Sequence, residues 1–119
     1  MNAAEFVKAI RIIACDSVSK GVMEILHHPP GRTPQASLVR LSEWFHRVTD
    51  EEKQLVRNII ELAADQAVYN VLLALDGFLA ITPAGQKGEL ELLVKEGANS
   101  VRLNDPAKEP LSALFKGNV

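Results

Sequence analysis

Three histidines, one cysteine and fifteen carboxylates are the residues of this 119-residue chain with the most obvious catalytic chemistry, and their spacing decides what they could do. His27 and His28 are adjacent. On a helix adjacent side chains diverge by about 100°, so the two cannot clamp one metal as an i, i+4 pair would. They stand where an apolar helical pattern ends at Pro29 and Pro30, and a helix C-terminus mildly favours a cation there. His46 lies three residues from both Glu43 and Thr49 and fits an exposed helix position. Cys15 sits toward the edge of a helical apolar face with no histidine near it in sequence, which fits a half-buried structural thiol. A lone cysteine permits neither an intramolecular disulfide nor a four-thiolate zinc site. No Ser-x-x-Lys, Gly-x-Ser-x-Gly or Walker-type loop occurs, and neither "PPGR" nor "PAGQKG" has the strand-loop-helix context that cradles phosphate. The residues imply no metal and no cofactor.

Two polar groupings remain as candidate sites. In the stretch 49–76, Ile59, Ala63, Ala67, Asn70 and Ala74 share one helical stripe, so Asn70 is expected to point into an apolar face with Gln66 one turn earlier. A buried amide needs partners, because an unmet polar group costs about 1–3 kcal/mol. Asn70 therefore fits a satisfied core amide, or else a ligand contact. Asp65 and Tyr69 are i, i+4 neighbours on another flank. Asp65 and Asp76 are separated by about 16 Å of helix and cannot form one carboxylate pair. Asp76 falls at the negative end of the helix dipole and needs a compensating group: Lys87, Arg102, a turn hydrogen bond or a partner's cation. The second grouping is Glu89, Glu91 and Asp105 near the C-terminus. Asn104-Asp105-Pro106 is turn chemistry, and the gathered negative charge makes this end of the chain a candidate partner-binding edge.

The elements that must position these residues follow from periodicity. Asn2 can cap a first helix whose face is Phe6, Ile10, Ile13, Ala14, Ser17, Val18, Gly21, Val22 and Ile25. Gly21 weakens a helix interior by about 1 kcal/mol relative to alanine, which suggests a packing reason for it. A second helix is predicted over 34–48. Thr49 to Glu52 is a capping-box pattern opening a long third helix that stops at Gly77, with "AVYNVLLAL" apolar almost all round. The period then changes. "FLAIT" (78–82), "ELELLVK" (89–95) and "SVRLN" (100–104) predict three strands joined by short turns, and Pro110 can start a closing helical turn carrying Leu111, Leu114 and Phe115. The expected fold is α+β: three N-terminal helices, the third long and central, then a three-stranded antiparallel meander packed on it and a short C-terminal helical turn. Residues 1–119 are expected to make one domain.

Composition bounds the function classes. Hydrophobic residues make up 47% and charged residues 24%, which suits a folded protein rather than a disordered one. A net charge of −2 argues against general nucleic-acid binding, which needs a basic patch. No apolar stretch approaches the roughly 18 residues of a membrane span, and Glu5, Arg11 and Asp16 spoil a signal-peptide pattern. A cytoplasmic protein is the expectation.

The stretches "LLALDGFLAI", "GELELLVKEG", "VRLNDP" and "LSALF" resemble a small family of bacterial cytosolic proteins of unknown function. The resemblance covers roughly the C-terminal half. It implies the α+β arrangement and no particular activity. Small acidic proteins of this shape are often immunity or antitoxin partners, by analogy of size and fold. With no catalytic constellation, the leading expectation is a non-catalytic protein-interaction domain that binds another protein through Glu89, Glu91 and Asp105, with a homo-oligomer as an open possibility. The alternatives are a small-molecule-binding domain with a pocket near Asn70 and Tyr69, and a small hydrolase using Asp65 or Asp105 with a histidine brought near by the fold.

Overall fold

The computed structural model describes residues 1–83 and 88–117. The chain begins with a helical rod in three parts: α1 (Ala3–Ile10), a π-helical segment (Arg11–Asp16) and α2 (Ser17–His27). Asn2 caps α1 by accepting from the Glu5 amide at 2.8 Å, and the rod ends two residues before Pro29. Helix α3 spans Ala36–Arg47, α4 spans Asp50–Leu75 and α5 spans Leu111–Gly117. Between α4 and α5, strands β1 (Leu93–Glu96) and β2 (Asn99–Arg102) form an antiparallel hairpin, with Val94 opposite Val101. The class is α+β and mostly helical.

Local chemistry explains the helix ends. Thr49 and Glu52 make the full capping box at the start of α4: the Glu52 amide donates to Thr49 Oγ1 at 3.1 Å, and the Thr49 amide to Glu52 Oε1 at 3.0 Å. At the other end Gly77 takes φ +84°, the Phe78 amide donates to the Leu73 carbonyl and the Gly77 amide to that of Ala74. This is the Schellman closure, which needs a residue tolerant of the left-handed region.

The main core lies where the rod, the C-terminal half of α4 and α5 meet. Val7, Cys15, Leu72, Leu111 and Phe115 are buried there, with Phe6, Val68, Tyr69, Leu75 and Leu92 packed around them. A separate contact joins α2 to α3, where Leu26 and Phe45 are buried and Ser42 Oγ donates to the Leu26 carbonyl at 2.7 Å.

Four expectations need correction. The face of the rod is not the uniform stripe of its 3.6 period. The π segment slips the register, with the Ser17 amide bonded to the Ile12 carbonyl five residues back. Cys15 and Ser19 turn inward while Ile13 and Val18 turn out, and nothing lies within 4 Å of a Cβ built on Gly21. Helix α4 is not buried all round: Leu72 is 2% exposed, but Ile59 is 65% exposed, and Gln66, Asn70 and Val71 are exposed too. The sheet has two strands, not three. Residues 78–82 form no strand, and 88–92 precede β1 as extended chain. The side chain of Asn104 takes the Leu92 amide and the Leu90 carbonyl, which face β2, so the ladder of the hairpin does not run on toward residue 89. Finally, the hairpin is not laid along α4 as its cover; Asn104 ties it to the helix end through the Leu75 carbonyl. The expected connection "PAGQKG" falls largely on residues 84–87, which lie outside the described residues.

Candidate functional site

Three regions carry the polar chemistry. The first is a cleft of about 380 Å³ between the rod and α4, lined by Arg11, Cys15, Asp16, Ser19, Lys20, Arg57, Glu61 and Asp65. The slipped register of the π segment sets Arg11 and Cys15 toward α4 and α5. The Arg11 side chain is only 16% exposed, and its Nη1 lies 3.4 Å from Asp65 Oδ1. Its Nη2 donates to the Phe115 carbonyl at 3.0 Å, and its guanidinium stacks 3.9 Å from the Phe115 ring centroid. Nε is buried without a partner among the described residues. Burial first, then hydrogen bonding to Asp65, pushes the Cys15 thiol up to about 11. Such a thiol is protonated and inert at neutral pH. No histidine lines this cleft, and its three cations face three carboxylates, so it has no net charge to draw an ion. Among the described residues no group of three or more His, Cys, Asp or Glu side chains is placed to hold a metal ion.

The second region is the acidic end. Glu89 and Glu91 stand together, as a shared face requires, but the agent is Arg102. Its Nη2 is 2.7 Å from Glu89 Oε1, and its Nη1 is 3.4 Å from Glu91 Oε1. The Glu89 hydrogen bond is the main reason that the guanidinium holds its proton more tightly than usual. The two carboxylates are thus partly neutralised within the chain. Asp105 accepts from the Ala107 amide at 2.9 Å, the turn role its sequence suggests. Beneath them Asn104 is buried and uses its full hydrogen-bonding capacity. Its Nδ2 donates to the Leu75 and Leu90 carbonyls at 2.6 and 2.7 Å. Its Oδ1 accepts from the Leu92 amide at 2.8 Å and Arg102 Nε at 3.3 Å. The satisfied buried amide expected at Asn70 exists at Asn104. Asp76 finds its compensation in the turn-side hydrogen bonds the sequence allowed, not in an ion pair with Arg102. It caps α5, accepting from the Leu111 and Ser112 amides and from Ser112 Oγ at 2.6 Å. Lys87, the other cation considered, lies outside the described residues.

The third region is the outer face of α4. Leu55, Ile59 and Leu62 are more than half exposed, and Ala63, Gln66, Ala67 and Asn70 continue the same exposed side. The helical repeat puts Leu55, Ile59, Leu62, Ala63, Gln66 and Asn70 within a sector about 100° wide. The charged residues of α4 beyond its first turn, Lys53, Arg57, Glu61 and Asp65, all fall outside that sector. The four polar candidates on this helix are therefore divided. Asp65 faces Arg11 and Cys15, and Tyr69 packs on the core with Lys116 Nζ 4.5 Å over its ring. Gln66 and Asn70 face outward and share no pocket with them.

Sequence reasoning missed three things. Arg11 registered only as a break in an apolar run, yet it is the half-buried cation that meets Asp65. Ser42 and His46 sit one turn apart in α3, where His46 Nδ1 lies 2.7 Å from the Ser42 carbonyl. The same Nδ1 lies 3.4 Å from Ser42 Oγ, a longer contact than the 2.7 Å hydrogen bond that the hydroxyl donates to the Leu26 carbonyl. The third is the uncharged sector of α4, whose signal was the placement of every charge from 53 to 75 on the opposite side. No family model, curated protein or solved structure matches this chain.

Proposed function

We propose that this chain is a non-catalytic protein-interaction domain whose docking surface is the uncharged outer face of α4. The observation that carries the reading is that face itself. Leu55, Ile59 and Leu62 are each more than half exposed on a side of the helix without a charge between residues 53 and 75. Contiguous exposed apolar surface of this kind marks an interaction site. The candidate reactive groups support the same reading. The Cys15 thiol is held protonated, Asp65 is taken by Arg11, and Asp105 closes a turn. An immunity- or antitoxin-like blocker in the cytoplasm is the narrower form of this proposal. In that form the acidic end steers a basic partner and the α4 face supplies the apolar contact, since charge mainly governs the approach.

Two double variants test which surface matters. Ile59→Lys with Leu62→Lys is expected to abolish capture of partners from the native cell while leaving helix content unchanged. Glu89→Lys with Glu91→Lys is expected to keep capture and alter only its salt dependence. Capture that survives the first pair and fails in the second returns the docking role to the acidic edge.

A further inference from the structure

We infer that the occupant of the outer α4 face is a second copy of this chain, lying antiparallel across it about a two-fold axis near Leu62 and Ala63. The inference rests on the reading of that face as a docking surface and names its partner.

The chain is not its own best cover. Its radius of gyration is 18.4 Å, whereas a compact domain of this length has about 13.5 Å. Sixteen large hydrophobic side chains are exposed among the described residues against eight buried apolar ones. Of the exposed ones, Leu55, Ile59 and Leu62 lie on one regular helical stripe with no charge among them. The steps from Leu55 through Ile59, Leu62, Gln66 and Asn70 run four, three, four and four, close to the alternation by which two helices interlock. Beyond its first turn the face carries no charge, so it is compatible with itself, which a two-fold interface requires.

The acidic first turn of α4 selects the direction. Asp50, Glu51 and Glu52 open the helix, and Glu52 lies on the docking sector. Parallel pairing sets Glu52 against Glu52 and aligns the two helix dipoles; antiparallel pairing separates these groups by most of the helix length. Centring the axis between Leu62 and Ala63 puts Leu62 beside Ala63 of the second copy, large against small. It puts Ile59 opposite Gln66 and Leu55 opposite Asn70. The amides then fall toward the two ends and the apolar pair at the centre, the usual order of an interface core and rim. The sector from 55 to 70 is about 22 Å long. A specific interface has to clear about 1,000 Å² in total, so the pairing has to engage this whole sector on both copies.

Sedimentation equilibrium of the purified chain gives the first test. The wild type is expected at twice the 13.0 kDa chain mass at micromolar concentration. Ile59→Lys with Leu62→Lys, and separately Asn70→Lys at an already exposed position, are expected to raise the dimer dissociation constant at least tenfold with unchanged circular dichroism. Asn70→Lys keeps the test valid if the double variant does not fold. A short bis-maleimide then tests the direction. Ala63→Cys should cross-link to a dimer, whereas Leu55→Cys should not, its two copies being separated by about 22 Å along the axis. The native Cys15 is buried and stays silent. Cross-linking of both variants overturns the antiparallel arrangement. A dimer indifferent to all three lysines overturns the interface, and a wild type monomeric at every concentration overturns the second copy. If that monomer still captures a partner through Ile59 and Leu62, the docking surface stands without self-association; if capture is also indifferent to them, both readings fall.

Discussion

The two faces of α4 are built from opposite materials. The inner face carries Leu72 and Val68 into the core and Asp65 against Arg11, with Arg57 and Glu61 about half exposed at the mouth of the cleft. The outer face carries Leu55, Ile59 and Leu62 into solvent with only amides and alanines between them. In a self-sufficient monomer the apolar stripe would lie within. On the inner side the half-buried Arg11 demands a carboxylate, and Asp65 supplies it. On the outer side no described residue covers Leu55, Ile59 and Leu62. The proposed second copy would cover the outer face while the inner face serves the chain's own core.

The largest effect that can break this comparison is Leu72→Ala against Ile59→Ala. Leu72 is fully packed, and its truncation is expected to lower unfolding free energy by about 2–5 kcal/mol in urea denaturation. Ile59→Ala at a concentration low enough to keep the chain monomeric should leave the midpoint almost unmoved. Equal losses from both would mean that the outer face is packed within the monomer. Next comes Asn104→Ala, which strips partners from the Leu92 amide and the Leu75 and Leu90 carbonyls. A loss of about 1–3 kcal/mol is expected, with faster hydrogen exchange at the Leu92 amide. Unchanged exchange there would show that the side chain does not hold the hairpin to α4.

The smallest effect is a pH slope from the inner face. The Cys15 thiol has its folded value raised from about 9.0 to about 11. Below pH 9 both states keep the proton and the thiol adds no pH dependence. Between 9 and 11 the unfolded chain releases it and the folded chain does not, so stability falls as pH rises through that window. Urea midpoints at pH 8 and pH 10 should therefore differ more in the wild type than in Cys15→Ala. Equal differences would mean that the thiol is not held protonated.

How much of this was legible in the sequence depends on whether the cause was local. Asn2, the Thr49–Glu52 box and Gly77 mark helix ends with their own side chains or backbone freedom, and each does what its type suggests. The α+β class follows from the change of period after Gly77. The phase of the first rod was not legible, because a π segment slips the register without a sequence signature. The late start of β1 at Leu93 was not legible either, because the side chain of Asn104 takes the Leu92 amide and Leu90 carbonyl that would have extended its pairing with β2. Of the candidate sites, Asp105 and Glu89 were placed correctly near one end, but the clamp by Arg102 depends on long-range geometry. Apolar periodicity shows that α4 has a hydrophobic stripe; it does not say whether the stripe belongs to this chain's core or to another molecule's surface.

Hydroxyl-radical footprinting of the unmodified chain over a range of concentrations tests that last point most directly. Leu55, Ile59 and Leu62 should become progressively protected as concentration rises, while the exposed Ile12 and Ile13 of the rod serve as an internal reference at constant reactivity. Side chains on α4 that oxidise equally at every concentration, in step with that reference, would contradict the account that a second copy covers this face.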